Sequence, residues 1–168
     1  LESFENDFEK INSLDPRVTT RVVRQSVSIK ADMVSRDERE TLGVRILLNY
    51  GHTIGHAIES STGYDKFLHG EAVSIGMIAA AYISNKRGLM STEQMKRQFE
   101  VLNLYGLPTS YPDIDIPATM LALRSDKKTS GKNIRWVLLN DIGNATTDNK
   151  IPQSLVKEAL TYISQKTK

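Results

Sequence analysis

The sequence predicts a mainly α, multi-helix domain with one short β hairpin or strand near residues 133–148. Three observations predict it. Apolar residues recur at helical spacing through most of the chain. Start and stop signals punctuate these segments, such as Ser91 with Gln94 ahead of one helix and Gly106-Leu107-Pro108 behind it. A single convincing run, Ile134, Trp136, Val137, Leu138 and Leu139, has the β-branched and aromatic density of a strand.

In chain order, Leu1, Phe4, Phe8 and Ile11 predict a first helix over 1–14, with Ser3 as N-cap and Asp15-Pro16 as its end. Val18, Val22, Ile29 and Met33, widened by Val23 and Val27, predict a second long helix over 17–35. The charge-dense run Ser35 to Glu40 reads as a solvated turn. A third helix is expected over 45–61, with Ile46, Leu47, Ile54, Ala57 and Ile58 on its apolar side. His69-Gly70-Glu71 opens a helix that is apolar nearly all round and ends at Gly88, so it should be the central helix of the domain. Ser91 to Tyr105 is a capped helix, and Pro117 starts a short one to about Ser125 with Met120, Leu121 and Leu123 as core. Asp126 to Lys132 reads as a solvated loop, 133–140 as the strand, Asp141 to Asn144 as its turn and 145–148 as its return. A last amphipathic helix is expected over 152–166.

With 168 residues, 39% of them hydrophobic, the chain can bury one good core, so one domain is expected over 1–168. The formal charge of +2, with both signs interspersed, resembles neither a nucleic-acid stripe nor a polybasic membrane patch. The absence of cysteine excludes disulfides, thiolate zinc sites and thiol nucleophiles. No apolar run approaches the ~20 residues of a membrane helix, and the expectation is a soluble, cytoplasmic protein. The chain begins with Leu1 rather than Met, which suggests that it is a piece of a longer protein.

All three histidines fall between Asn49 and Glu71. His52 and His56, four residues apart, share one helix face, where they could hold a metal or a proton. A lone histidine is more often a packing residue than a ligand, but three together resist that reading. Gly51 and Gly55, each costing about 1 kcal/mol in a helix relative to Ala, suggest that something approaches the backbone closely. The same spacing occurs in helical zinc metalloproteases, whose general-base Glu follows the first histidine directly. Here that position is Thr53, so a protease would lack its base.

The run Leu48-Asn49-Tyr50-Gly51-His52-Thr53-Ile54-Gly55-His56-Ala57-Ile58-Glu59, followed by Leu68-His69-Gly70-Glu71-Ala72-Val73, resembles the signature of the 3-dehydroquinate synthase family. The resemblance extends to Lys30-Ala31-Asp32-Met33-Val34, Asp37 to Glu40 and Arg45 to Asn49, with the interval from Glu40 to Arg45 one residue longer than in the family pattern. It implies that His52 and His69 bind a divalent metal, zinc or cobalt, and that His56 is the catalytic acid/base, with Glu40 among the acid/base groups. It further implies that Lys30, Arg45, Asn49 and a loop lysine, Lys127, contact substrate. The implied fold is the C-terminal, mostly helical half of the family's enzyme. The N-terminal domain that holds most NAD+ contacts, and a metal-binding Glu and a nearby Lys, would lie ahead of Leu1. Two histidines are one ligand fewer than a catalytic zinc normally uses, so the isolated chain is expected to bind metal weakly and to be inactive.

In chemical terms, imidazole-held metal can act as a Lewis acid beside an acid/base histidine, while Lys and Arg bind carboxylate and phosphate. These describe a small, anionic, hydroxylated substrate. The resemblance implies a sugar phosphate, 3-deoxy-D-arabino-heptulosonate 7-phosphate, converted to 3-dehydroquinate in the shikimate pathway through NAD-assisted oxidation, phosphate elimination, reduction and aldol closure, by an enzyme that is commonly a homodimer. The alternatives are another sugar-phosphate cyclase, a related iron- or zinc-dependent alcohol dehydrogenase, and a non-catalytic helical module that uses its histidines structurally.

Overall fold

The structure, a computed structural model, describes the backbone of residues 1–130 and 134–165 and the side chains of 1–125 and 134–165. The backbone gathers into two compact units, Leu1–Leu48 and Asn49–Lys168. The described residues are mainly helical with one two-stranded antiparallel sheet, as the sequence predicts.

In the first unit, two short helices, α1 (Glu2–Asn6) and α2 (Phe8–Asn12), replace the single helix expected over 1–14. Asp7 leaves helical backbone at φ −109° and ψ 18°, and its carboxylate is engaged by Arg21. Asp is a poor helix former, and here it is tied to the next element instead. Leu1, not Ser3, precedes the first turn. The long helix α3 (Pro16–Arg36) forms as expected, with Pro16 in its first turn and the Asp15 carboxylate accepting the N–H groups of Arg17 and Val18, both at 3.0 Å. Its apolar spacing does not become a buried stripe, since Val18 is buried while Val23, Val27 and Ile29 stay more than half exposed.

The second unit is built around α5 (His69–Lys86), which is buried on most sides from Ala72 to Ser84. It packs against α4 (His52–Ser61), α6 (Thr92–Leu104), the hairpin of β1 (Trp136–Asp141) and β2 (Asn144–Asp148), and α8 (Gln153–Ser164). The expected capping box is present: Ser91 Oγ accepts the Gln94 backbone N–H, and Gln94 Oε1 accepts the Ser91 backbone N–H. Trp136, Val137 and Leu138 carry the strand into the core, and the Leu139 N–H donates to Ser84 Oγ on α5 at 3.1 Å. The turn falls at Ile142-Gly143, between the paired residues Asp141 and Asn144.

Two expectations fail here. Helix α7 (Ile116–Ser130) continues through residues 126–130, where the sequence reads as a loop. The side chain of Lys127 lies outside the described residues. On the same helix Leu123 is buried, but Leu121 is 63% exposed, so it is not core. Among the described residues, no helix is long and apolar enough to cross a membrane.

Candidate functional site

The helix predicted over 45–61 is divided at Gly51. A 3₁₀ turn covers Arg45–Asn49, Gly51 adopts a left-handed φ of 83°, and α4 starts at His52. A residue in that conformation cannot continue a right-handed helix. The reason for the break lies on α5: a Cβ on Gly51 would stand 2.8 Å from both the Met77 nitrogen and the Val73 oxygen. A Cβ on Gly76 would stand 2.0 Å from the Gly51 oxygen, and one on Gly55 would press the Val73 Cα at 3.1 Å. Glycine on both helices therefore lets α4 and α5 meet backbone to backbone. The close approach foreseen for Gly51 and Gly55 is that of α5.

This interlock brings the first turn of α5 to the face of α4 that carries histidines. The ring centroids of His52 and His56 are 5.3 Å apart, those of His52 and His69 5.3 Å, and those of His56 and His69 5.6 Å. One ring nitrogen from each can be chosen so that all three lie within 4.8 Å of one another. His69 is placed by its helix start, where the Glu71 carboxylate accepts the Leu68 N–H at 2.9 Å.

The three imidazoles differ in their hydrogen bonds. His52 Nδ1 lies 3.3 Å from the Tyr50 carbonyl oxygen, and His69 Nδ1 lies 3.1 and 3.3 Å from the two oxygens of Glu59. An acceptor at Nδ1 puts the proton there and leaves the Nε2 lone pair bare. His56 has no hydrogen-bond partner among the described residues. Desolvation lowers the His52 pKa from its ordinary value, and the neighbouring imidazoles add to this against the opposing pull of the Tyr50 carbonyl and Glu59. A neutral imidazole with a bare Nε2 is the form that binds a divalent metal, so this donor set fits one.

Glu59 and Tyr50 are site components that sequence reasoning left without a role. Glu59 is 8% exposed, although it sits in the helix beside core residue Ile58. An acidic residue directly after the apolar pair Ala57-Ile58 is the signal that could have marked it, because a buried carboxylate needs a partner. Tyr50 is anchored by its hydroxyl, which donates to Gln98 Oε1 at 2.8 Å, while Gln98 Nε2 donates to the Met77 carbonyl at 3.1 Å. Burial pushes the Tyr50 hydroxyl well above the ordinary tyrosine range, with the Gln98 bond opposing it.

Of the remaining residues, Asn49 is exposed at the end of the 3₁₀ turn, three positions ahead of His52. Lys30, Glu40 and Arg45 belong to the first unit. Lys30 is exposed on α3. Glu40 lies on the loop that leads into the 3₁₀ turn at Arg45, organised by the buried Asp37 carboxylate, which accepts the N–H groups of Thr41, Leu42, Val44 and Arg45 at 2.7 to 3.2 Å. The Leu42 N–H, with those of Arg45, Val44 and Thr41, holds the Asp37 pKa at about 2. Arg45 also donates from its guanidinium to the Glu38 carbonyl at 3.1 Å. Glu40 takes a left-handed φ of 56° in this loop.

The sequence profile of the 3-dehydroquinate synthase C-terminal family matches residues 1–129. The chain belongs to that family. Similar curated proteins are the 3-dehydroquinate synthases of Acidithiobacillus ferrooxidans, 39% identical over 156 residues, and of Acaryochloris marina, 42% identical over 148 residues. These alignments cover 93% and 88% of this chain but 43% and 40% of the relatives, so the chain spans less than half the length of the family proteins it matches. The fold is also that of 2-epi-5-epi-valiolone synthase from Streptomyces hygroscopicus subsp. jinggangensis 5008, solved with NAD+ and Zn2+ bound. That likeness has a TM-score of 0.82 at 25% identity, over 97% of this chain and 46% of the other. A 2-deoxy-scyllo-inosose synthase complexed with carbaglucose-6-phosphate, NAD+ and Co2+ superposes with a TM-score of 0.68 at 30% identity, over 80% of this chain and 39% of the other.

Proposed function

We propose that this chain is the metal- and substrate-binding half of a 3-dehydroquinate synthase, which converts 3-deoxy-D-arabino-heptulosonate 7-phosphate to 3-dehydroquinate and phosphate. The observation that carries the reading is the convergence of three imidazoles, two with Nδ1 committed and one without. His52 and His69 hold a divalent metal, Zn2+ or Co2+, through Nε2. His56, whose ring has no hydrogen-bond partner among the described residues, takes and returns the substrate proton. Lys30, Arg45, Asn49 and Lys127 bind the carboxylate, phosphate and hydroxyl groups of the substrate, and Glu40 assists proton transfer. When bound, the metal supplies Lewis acidity and NAD+, held mainly by a preceding domain, supplies reversible hydride acceptance.

The identity of the cyclised substrate is the finer part of this proposal. The family match and the relatives at 39 and 42% identity support the dehydroquinate reaction. The two neighbouring cyclases support a second reading, closure of a different sugar phosphate on the same apparatus. Phosphate release by the full-length protein, assayed with NAD+ and Zn2+ on the heptulosonate phosphate and on glucose 6-phosphate, separates them. Release from the first alone, abolished by His56→Ala with the fold preserved, is the expected result. Release from the second alone, or full activity of His56→Ala, would overturn it.

A further inference from the structure

We propose that Glu59 is the positioning residue of the metal site, acting through His69. This inference rests on reading His69 as a metal ligand. His69 stands at the first position of its helix with its side chain 57% exposed, so packing does little to fix its ring. The Glu59 carboxylate is the group that does. It is 8% exposed, and both of its oxygens lie within 3.3 Å of His69 Nδ1. Glu59 and His56 are three residues apart on α4, so one helix presents the free imidazole and the carboxylate that orients the ring opposite. The carboxylate has two effects. It keeps the proton on Nδ1, so that Nε2 is always the nitrogen offered, and it makes that nitrogen a stronger donor by stabilising positive charge on the ring.

The burial of Glu59 supports this role over a structural one. A buried carboxylate is costly unless it is paired, and a glutamate whose only task was helix packing would be replaced at no loss by an apolar residue. Among the described residues, His69 is the side chain to which this carboxylate is hydrogen-bonded. His52, by contrast, is oriented by a backbone carbonyl, which no substitution of a side chain removes.

The test uses the full-length protein, in which the loss of signals in His69→Ala assigns the His69 imidazole. Long-range nitrogen–proton NMR reads the tautomer of each ring without metal, and competition with a chromophoric chelator reads Zn2+ affinity. Glu59→Ala is expected to shift His69 from the Nδ1-protonated form to a mixture and to weaken Zn2+ by roughly 10- to 100-fold, the usual effect of losing such a partner. Glu59→Gln, which keeps the size and one acceptor oxygen, should retain the fold and the His69 tautomer and lose less affinity. An unchanged His69 tautomer in a folded Glu59→Ala chain overturns the inference. So does unchanged Zn2+ affinity in Glu59→Ala when His69→Ala has lost it. If His69→Ala itself leaves Zn2+ affinity unchanged, the ligand reading beneath the inference fails instead.

Discussion

Gly76→Ala should destabilise the protein by far more than a methyl group ordinarily does. The new Cβ would lie 2.0 Å from the Gly51 oxygen and 2.8 Å from the Gly55 nitrogen, at least 1 Å inside the closest approach to that oxygen that a Cβ makes. Both obstacles are backbone, so neither can swing aside as a side-chain tip would. Overpacking costs typically ~1–3 kcal/mol, and a rigid contact of this kind belongs at the upper end. Alanine returns about 1 kcal/mol through its better helix propensity. The net loss is therefore ~2 kcal/mol, roughly 4–8 °C in Tm for a chain of this size. Gly70 in the same helix is the control, because a Cβ there meets nothing within 4 Å. Gly70→Ala should be neutral or stabilising by up to ~1 kcal/mol. Thermal and urea unfolding of both variants measures the difference, and Zn2+ affinity should fall in Gly76→Ala as α5 moves off α4. A Gly76→Ala chain as stable as Gly70→Ala would refute the backbone-to-backbone contact that places His69 opposite His52 and His56.

Two further outcomes follow from the hydrogen-bond networks. Because the fold lowers the Asp37 pKa to about 2, its contribution is complete above the unfolded value near 4 and is lost as pH falls from ~4 through ~2. The protection of the Thr41, Leu42, Val44 and Arg45 amides, measured against their intrinsic exchange rates, should therefore fall in that window, and in Asp37→Asn it should already be low at neutral pH; equal protection in the two proteins would contradict the assignment. Tyr50→Phe leaves Gln98 Oε1 buried without its donor, which should cost ~1–3 kcal/mol in urea unfolding. The folded hydroxyl titrates above its unfolded value near 10, so the stability it gives is present below that pH and is lost as pH rises beyond it; the variant should not show that alkaline loss.

The parts of the fold legible in the sequence are those set by local chemistry. The Ser91–Gln94 box, the Asp15-Pro16 start of α3 and the two-residue turn at Ile142-Gly143 each need only a few neighbouring residues, and each forms. The all-round apolar helix is central because no face of it tolerates water. The failures come from elsewhere. Asp7 breaks its helix where its carboxylate meets a residue 14 positions away. Charge misled at 126–130, because charged residues suit a helical turn as well as a loop. The α3 pattern gave the right helix but not its burial, since periodicity defines a face without saying what covers it.

The site shows the same division, and its chemistry turns on it. Helical spacing pairs His52 with His56, and that pairing is real, with both rings on α4 and 5.3 Å apart. A pair on one helix face could serve either as two ligands or as a ligand with a base, and spacing cannot choose between them. The choice depends on which ring nitrogens are already committed, and this is a long-range property. Tyr50 and Gln98 fix the approach to His52 from a helix 46 positions on, and the glycine contacts bring His69 under Glu59. The resulting hydrogen bonds set His52 and His69 apart from His56. A metal ligand must offer a bare nitrogen, and an acceptor at Nδ1 leaves Nε2 bare; the carbonyl of Tyr50 and the carboxylate of Glu59 meet that condition at two rings, and no hydrogen bond among the described residues commits the third.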